Sequence, residues 1–320
     1  VEQRRLGDSG LVVSAVGLGC NNLGRPGTTT ESPRGAQHVV NRALDAGITF
    51  FDVADAYGSP RGRSEELLGQ ALRGHRDRAV IATKFGMDMQ GGNGPDFEAR
   101  GSRRYVRRAV EASLRRLDTE WIDLYQLHRA DPLTPLDETL SVLDDLVREG
   151  KIRYVGHCNL AGWQTVDASW TSTHRGMTGP VSAQIHYSLL EREAEREVIP
   201  ACSKFGVGLI PYFPLANGLL TGKYQQGQEP PEGSRLSGRE RLLADAPWER
   251  IERLREFAAK REISMIATAI GWLAAQPTVG SVISGATSPE QVESNASAGQ
   301  WRPSQADLDE IDTICPPAYR

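Results

Sequence analysis

Lysine is scarce in this chain, and so are paired cysteines, blocks of like charge and long apolar runs. Only five of the 37 basic residues are lysines, at 84, 151, 204, 223 and 260, so a lysine that ends an apolar strand stands out. The four cysteines (20, 158, 202 and 315) form no close pair and have no ligand-like spacing to any histidine. His157 and Cys158 adjoin, and in a strand they would point to opposite faces. These spacings argue against a disulfide scaffold and against a zinc or other metal site. The net charge of −4 is spread over 320 residues without a basic stripe, which argues against nucleic acid or a membrane as partner. No apolar run approaches the ~18 residues that span a bilayer. The opening VEQRRLGDSG holds no apolar core of signal-peptide length. The expectation is a soluble, cytoplasmic protein with one domain over residues 1–320.

What is present is alternation. After a candidate hairpin from Arg4 to Val13, turning at Asp8-Ser9-Gly10, eight short apolar runs follow. They are Ala15–Gly19, Ile48–Asp52, Val80–Lys84, Ile122–His128, Arg153–Asn159, Val181–His186, Gly208–Pro211 and Ser281–Ser284. Between them apolar residues recur at helix spacing, as at Val106, Val110, Leu114 and Leu117. Gly47 and Gly150 fall where a helix end needs a positive φ. Eight strands alternating with helices imply a parallel sheet. A doubly wound sheet would carry G-x-G-x-x-G after its first strand, but Gly17-Leu18-Gly19-Cys20-Asn21-Asn22 lacks the third glycine. The expected fold is therefore α/β, a (β/α)₈ barrel with an N-terminal β-hairpin. The polar, glycine- and proline-rich stretch from Lys223 to Pro247 reads as a long mobile loop after strand seven, with helices near Trp248–Glu262 and Ser264–Gln276 beyond it.

Catalytic groups of such barrels come from the C-terminal ends of strands. Those positions hold Asp52 after strand two, Lys84 after strand three and His128 after strand four, with Tyr57 in the loop after Asp52. A phenol near pKa ~10 is a poor proton donor at neutral pH. A nearby ammonium should lower that value, an aspartate should hold the ammonium in place, and a histidine should aim a hydrogen bond at the same oxygen. Such a set can polarise a carbonyl and protonate it as hydride arrives.

These residues resemble the aldo-keto reductase superfamily, in a branch similar to potassium-channel β-subunit-like reductases. FDVADAYG, ATKFG and DLYQLHRADP are similar to its strand-two, strand-three and strand-four segments. The match continues through YVGHCNL, VSAQIHYSLLERE, PYFPLANGLLTGKY and VISGATSPEQVESN. The resemblance implies a (β/α)₈ barrel, NADPH/NADP+ as cofactor with NADH left open, and reduction of an aldehyde or ketone. It makes Tyr57 the proton donor, tuned by Lys84 and Asp52, with His128 orienting the carbonyl. It places Gly19, Cys20 and Asn21 at the cofactor, and Asn159 and Gln184 on the nicotinamide carboxamide. Cys158 stands where the family has a serine, and a thiol donates a weaker hydrogen bond. Tyr212 takes the position of the ring that stacks on the nicotinamide. Phe213, Pro214, Leu215, Asn217, Gly218, Leu220 and Lys223 match the loop near the pyrophosphate, which Arg235 would help neutralise. The adenine end is carried over to Gly285, Thr287, Gln291 and Asn295.

The substrate pocket is expected from Asn21, Asn22, Tyr57, Phe85, His128 and the loops 86–101 and 223–247. The partner is then a small carbonyl compound, and the protein a monomer or a homo-oligomer. A redox sensor or scaffold that binds NADPH and reacts slowly is the alternative reading. GLLTGKY lacks the spacing and the following Ser or Thr of a phosphate-binding P-loop. His38, His75 and His174 read as surface residues and His157 as packing, with His186 open between packing and substrate. Trp163, Trp170 and Trp272 read as core, and Arg103, Arg104, Arg107 and Arg108 as a solvated helix face.

Overall fold

Period-two burial organises the centre of the molecule. In β5 (Val80–Phe85), Ala82 and Lys84 point one way and Ile81, Thr83 and Phe85 the other, and all five are buried because both faces of the strand are covered. Ala82 joins Phe50 and Leu124 inside the barrel, whereas Ile81 and Phe85 pack outward on Val106 and Val110 of a surrounding helix. The computed structural model describes residues 1–231 and 234–318. Glu232 and Gly233 of the expected loop, and the last two residues of the expected 1–320 span, lie outside the described residues.

Eight parallel strands form the sheet: β3 (Val16–Gly19), β4 (Phe50–Asp52), β5, β6 (Ile122–Leu127), β7 (Ile152–Cys158), β8 (Pro180–His186), β9 (Gly208–Tyr212) and β10 (Val282–Gly285). The strands β3 to β9 pair in sequence order, and β10 pairs with β3. The ring closes where Leu209 of β9 bridges Val279, with its N–H donating to Thr278 O at 2.8 Å. The helices α1 (Pro33–Asp45), α2 (Arg63–Ala71), α3 (Arg103–Leu117), α4 (Leu136–Arg148), α5 (Gly162–Arg175) and α6 (Val198–Phe205) connect successive strands. Then come α7 (Glu240–Ala244), α8 (Trp248–Lys260), α9 (Met265–Ala274), α10 (Pro289–Ala298) and α11 (Gln305–Ile314). This is the (β/α)₈ barrel expected from the alternation. Gly47 and Gly150 take φ of 79° and 75° after α1 and α4, as their places required.

The hairpin β1 (Gln3–Arg5) and β2 (Val12–Ser14) closes the N-terminal end of the barrel. Leu6, Leu11 and Val13 from it pack on Phe50, Ala82, Leu124, Ile210 and Ile283. Gly7 makes that seat possible: its φ is +57°, and a Cβ there would lie 2.3 Å from Gly206 O.

Two expectations are corrected. Trp163 and Trp170 are 66% and 64% exposed, while Trp272 alone of the three is core. The reason is that α5 lays its small residues Ala168, Ser169 and Ser172 against the barrel, which turns the bulky ones outward. The stretch 223–247 is also not uniformly loop. It contains α7, and Tyr224 and Leu236 are buried anchors, with Leu236 N–H donating to the Tyr224 hydroxyl at 3.3 Å.

Candidate functional site

Barrel geometry aims every second residue of a strand at the axis, so a polar residue at such a place must find partners inside. Asp52, Lys84, Gln126 and Gln184 are four of these, from four strands, and they find one another. The Lys84 ammonium is fully buried, 2.7 Å from Asp52 Oδ2 and 2.8 Å from the Val53 carbonyl, to which it also donates. The other oxygen, Asp52 Oδ1, accepts from Gln184 Nε2 at 2.7 Å and from Gln126 Nε2 at 3.5 Å. Above them the ammonium lies 5.0 Å from the centroid of the Tyr57 ring. Tyr57 meets His128 edge to face, with ring centroids 5.8 Å apart. The four residues singled out from the sequence thus converge at the C-terminal end of the barrel. Two surface cavities of about 330 and 540 Å³ lie elsewhere and contain none of the four.

The electrostatics depart from expectation at Tyr57. Burial pushes its phenol up to about 12, and the Lys84 charge offsets only part of that rise. Desolvation therefore wins over the ammonium, and the hydroxyl keeps its proton throughout the neutral range. Lys84 shows the reverse balance: burial is the largest influence and opposes its charge, but Asp52, joined by Tyr57 and Cys158, more than offsets it and the ammonium is raised. His128 is pushed down to about 3 by burial first and then by the charges of Lys84 and Arg129, so it is a neutral imidazole. Its Nδ1 is buried and has no hydrogen-bond partner among the described residues. Cys158 is fully buried and its thiol is raised, again chiefly by burial, so it is no thiolate.

The residues carried over for a cofactor fall into groups. At the end of β7 and β8, Asn159 donates to the His128 carbonyl at 3.1 Å and accepts from the Tyr212 hydroxyl at 2.9 Å. Tyr212 also stacks on His186, with ring planes 9° apart, so His186 lines this side of the mouth. Phe213 stands edge-on to both rings. Beyond it, Pro214, Leu215, Asn217, Gly218 and Leu220 form a tight turn in which Asn217 and Gly218 have φ of 59° and 105°. Lys223 is exposed and lies over the Tyr224 ring. On the opposite side, Gly19 pairs with Gly285, and a Cβ on Gly285 would sit 2.9 Å from Asn22 Nδ2. Asn21 is half-buried beside it and Cys20 is buried below. Thr287 N–H donates to Gln291 Oε1 at 2.8 Å, and Asn295 Nδ2 donates to Gly285 O at 3.4 Å. Clustered aromatic rings, hydrogen-bonding amides and an Arg235 whose Nε has no hydrogen-bond partner among the described residues suit a nicotinamide dinucleotide chemically.

Two features escaped the sequence reading. Gln126 lies under Asp52, and only the alternation of Leu124, Gln126 and the outward Tyr125 pointed inward at it. The second is a buried chain of polar groups behind Tyr57. Asn93 donates to Asp55 Oδ2 at 3.0 Å, Arg116 donates to Asn93 Oδ1 at 3.1 Å and to Glu65 Oε2 at 2.6 Å, and Thr83 donates to Glu65 Oε1 at 2.6 Å. Burial, with the Glu65 charge beside it, raises the Asp55 carboxyl well above the usual range. This chain ties the loop bearing Tyr57 to the loop 86–101. His157 is buried with neither ring nitrogen bonded among the described residues, which fits packing rather than catalysis.

Comparison with known proteins agrees with this geometry. Residues 15–315 match the model of the aldo/keto reductase family. The chain is 35% identical to a probable aldo-keto reductase 1 of Glycine max, over 99% of this chain and 89% of that one. It is 35% identical to an L-glyceraldehyde 3-phosphate reductase of Escherichia coli O157:H7, over 93% and 87%. It is 33% identical to a probable voltage-gated potassium channel subunit beta of Oryza sativa subsp. japonica, over 93% and 91%. A match of this extent, on a barrel of this form, places the chain in the aldo/keto reductase family, among the oxidoreductases that act on carbonyl groups with a nicotinamide dinucleotide.

Proposed function

We propose that the protein reduces an aldehyde or ketone to an alcohol with NADPH, and that Tyr57 supplies the proton. The observation that carries this reading is the fully buried Lys84 ammonium, clamped by Asp52 at 2.7 Å and lying against the Tyr57 ring. Burying a lysine so completely is costly, and a barrel that needed only packing would hold an apolar residue there. When bound, the dinucleotide supplies the hydride. The chain's own part is to place and neutralise charge. His128, held neutral, positions the carbonyl oxygen without competing for its proton. Tyr57 then gives its hydroxyl proton to that oxygen, and the Lys84 ammonium stabilises the phenolate left behind. Asp52 holds the ammonium, and Gln184 and Gln126 hold Asp52. Asn159, Gln184 and Tyr212 would hold the nicotinamide. Asn21, Asn22 and the loops 86–101 and 223–247 remain the proposed surroundings of the substrate; Phe85 leaves that set, because it is fully buried on the outward face of β5, stacked on Tyr125. The domain is proposed to span the whole chain.

The test is NADPH fluorescence titration together with a panel of carbonyl compounds, for wild type and Tyr57→Phe. Loss of the hydroxyl should leave NADPH affinity nearly unchanged and lower turnover by ~10²–10⁴. Equal turnover by the two proteins would remove Tyr57 from the role.

A second reading, a dinucleotide-binding sensor or scaffold with slow chemistry, draws support from one observation. A phenol raised to about 12 is a weak acid, and the likeness to a channel β subunit points the same way. A sensor would bind NADPH tightly and reduce the whole panel very slowly, whereas an enzyme would turn over at least one member of it at an ordinary rate.

A further inference from the structure

Between residues 86 and 100 only Met89 and Asn93 are buried. The remainder of that loop is exposed or half-buried, so a polar side chain taken inside it needs partners. Asn93 has three. Its Nδ2 donates to Asp55 Oδ2 at 3.0 Å and to the Tyr105 hydroxyl at 3.4 Å, and its Oδ1 accepts from Arg116 Nη1 at 3.1 Å. Asp55 is fully buried and stands two residues before Tyr57. Its Oδ1 has no hydrogen-bond partner among the described residues.

The contacts of this pair close on themselves. Arg116 of α3 donates to Glu65 of α2, and Thr83 of β5 donates to the same carboxylate. The Asp55 N–H donates to the Lys84 carbonyl at 3.2 Å. The circuit thus begins and ends on β5, at Thr83 and Lys84, and one side of it is the turn that carries Tyr57. Tyr57 N–H closes that turn on the Ala54 carbonyl at 3.1 Å, with Asp55 inside it. On its far side the Tyr57 carbonyl accepts from the N–H groups of Gly62 and Ser64 at 3.1 and 3.3 Å. Asn93 is therefore the point at which the loop 86–101 holds the turn below the phenol.

Packing alone does not ask for this pair. Apolar groups of the same shape can replace a buried hydrogen-bonded pair at little cost in stability, and a carboxyl with one oxygen bare is a poor core residue. What the pair supplies is direction, because a hydrogen bond fixes the turn at one place and an apolar contact would let it slide.

We propose that Asn93 is a positioning residue for Tyr57, acting through Asp55 to keep the phenol in register with the Lys84 ammonium. The proposal rests on Tyr57 being the proton donor. It gives the loop proposed to surround the substrate a direct hold on that donor, so the same segment shapes the pocket and places the proton.

The experiment measures kcat, KM and NADPH affinity for wild type, N93A, Y57F and N93A/Y57F, on whichever carbonyl of the panel wild type reduces fastest. Fluorine NMR of the same proteins labelled with fluorotyrosine follows the Tyr57 resonance, assigned by its absence from Y57F. N93A should lower kcat by about ten- to hundredfold, as expected of a misplaced reacting group, with KM and NADPH affinity nearly unchanged. In the Y57F background the same change should cost less than about twofold, because the group it places is gone. The Tyr57 resonance should shift or broaden in N93A. Should N93A fail to fold, N93L/D55L takes its place in each arm, since it leaves neither member of the pair buried alone. An unchanged kcat overturns the proposal. So does a loss confined to KM, which makes Asn93 a wall of the pocket, and so does an equal loss with and without the Tyr57 hydroxyl, which makes its role merely structural. If wild type reduces no carbonyl, or Y57F equals it, the parent reading fails and the NMR arm judges the hold by itself. A displaced resonance in N93A upholds the hold, and an unchanged one discards it.

Discussion

Lys84 and Arg235 are both cations near the barrel mouth, one fully buried and the other half-buried, and the protein treats them in opposite ways. Lys84 has Asp52 at 2.7 Å and a backbone carbonyl at 2.8 Å, and Asp52 is in turn held by Gln184 and Gln126. Arg235 has the Phe213 ring at 5.1 Å and an Nε with no hydrogen-bond partner among the described residues. The first cluster is complete within the chain and changes little whether or not anything is bound. The second has an aromatic face in place of an internal carboxylate. A group whose chemistry must be ready in advance is given internal partners.

The sharpest way to break this comparison is at Asp52. Asp52→Leu leaves the Lys84 ammonium uncompensated in the barrel and should destabilise the protein by about 3–5 kcal/mol. Adding Lys84→Met should recover much of that loss, and urea unfolding of the single and double variants reads the difference. On the Arg235 side no internal carboxylate is involved, and Arg235→Gln should change stability by much less than Asp52→Leu in the same assay. If both substitutions destabilise to the same extent, the contrast between the clusters is gone.

His157 offers a milder, uncharged version of an unpaired buried group. Burial lowers it from the usual 6.5 to about 4. Between those values the unfolded chain binds a proton that the folded one does not, so stability is fully present above about 6.5 and falls as pH drops toward 4. His157→Leu should flatten that slope, as measured by urea midpoints across the window. His128, lowered to about 3, should leave the slope that remains in the variant. The smallest effect is expected at the exposed Trp170. Replacing it with glutamine should change stability by less than about 0.5 kcal/mol, as for an ordinary surface residue, and a larger loss in the same unfolding assay would restore the core role first expected of it.

The strand ends and the four residues at the mouth were legible because they follow from local rules. Alternation in FFD and VIATKF puts Asp52 and Lys84 on the inner face whatever the rest of the chain does. Tyr57 and His128 follow from strand-to-loop spacing. The tryptophans of α5 misled because helical spacing marks a face without saying which face is buried, and there the smaller residues took the inner side. The sign at Tyr57 misled because an ammonium and burial act against each other, and only coordinates show how completely the phenol is enclosed.

The amino-acid order alone determined the eight strand–helix units, the layer of polar residues facing the axis and the glycine-dependent turns that end α1 and α4. Each of these depends on residues close together in sequence, where φ, ψ and side-chain direction are set by neighbours. Tertiary structure alone decided which face of α5 is covered and that the phenol of Tyr57 is raised rather than lowered. Desolvation and charge pairing depend on what the folded chain brings within a few ångströms, and no local pattern carries that distance.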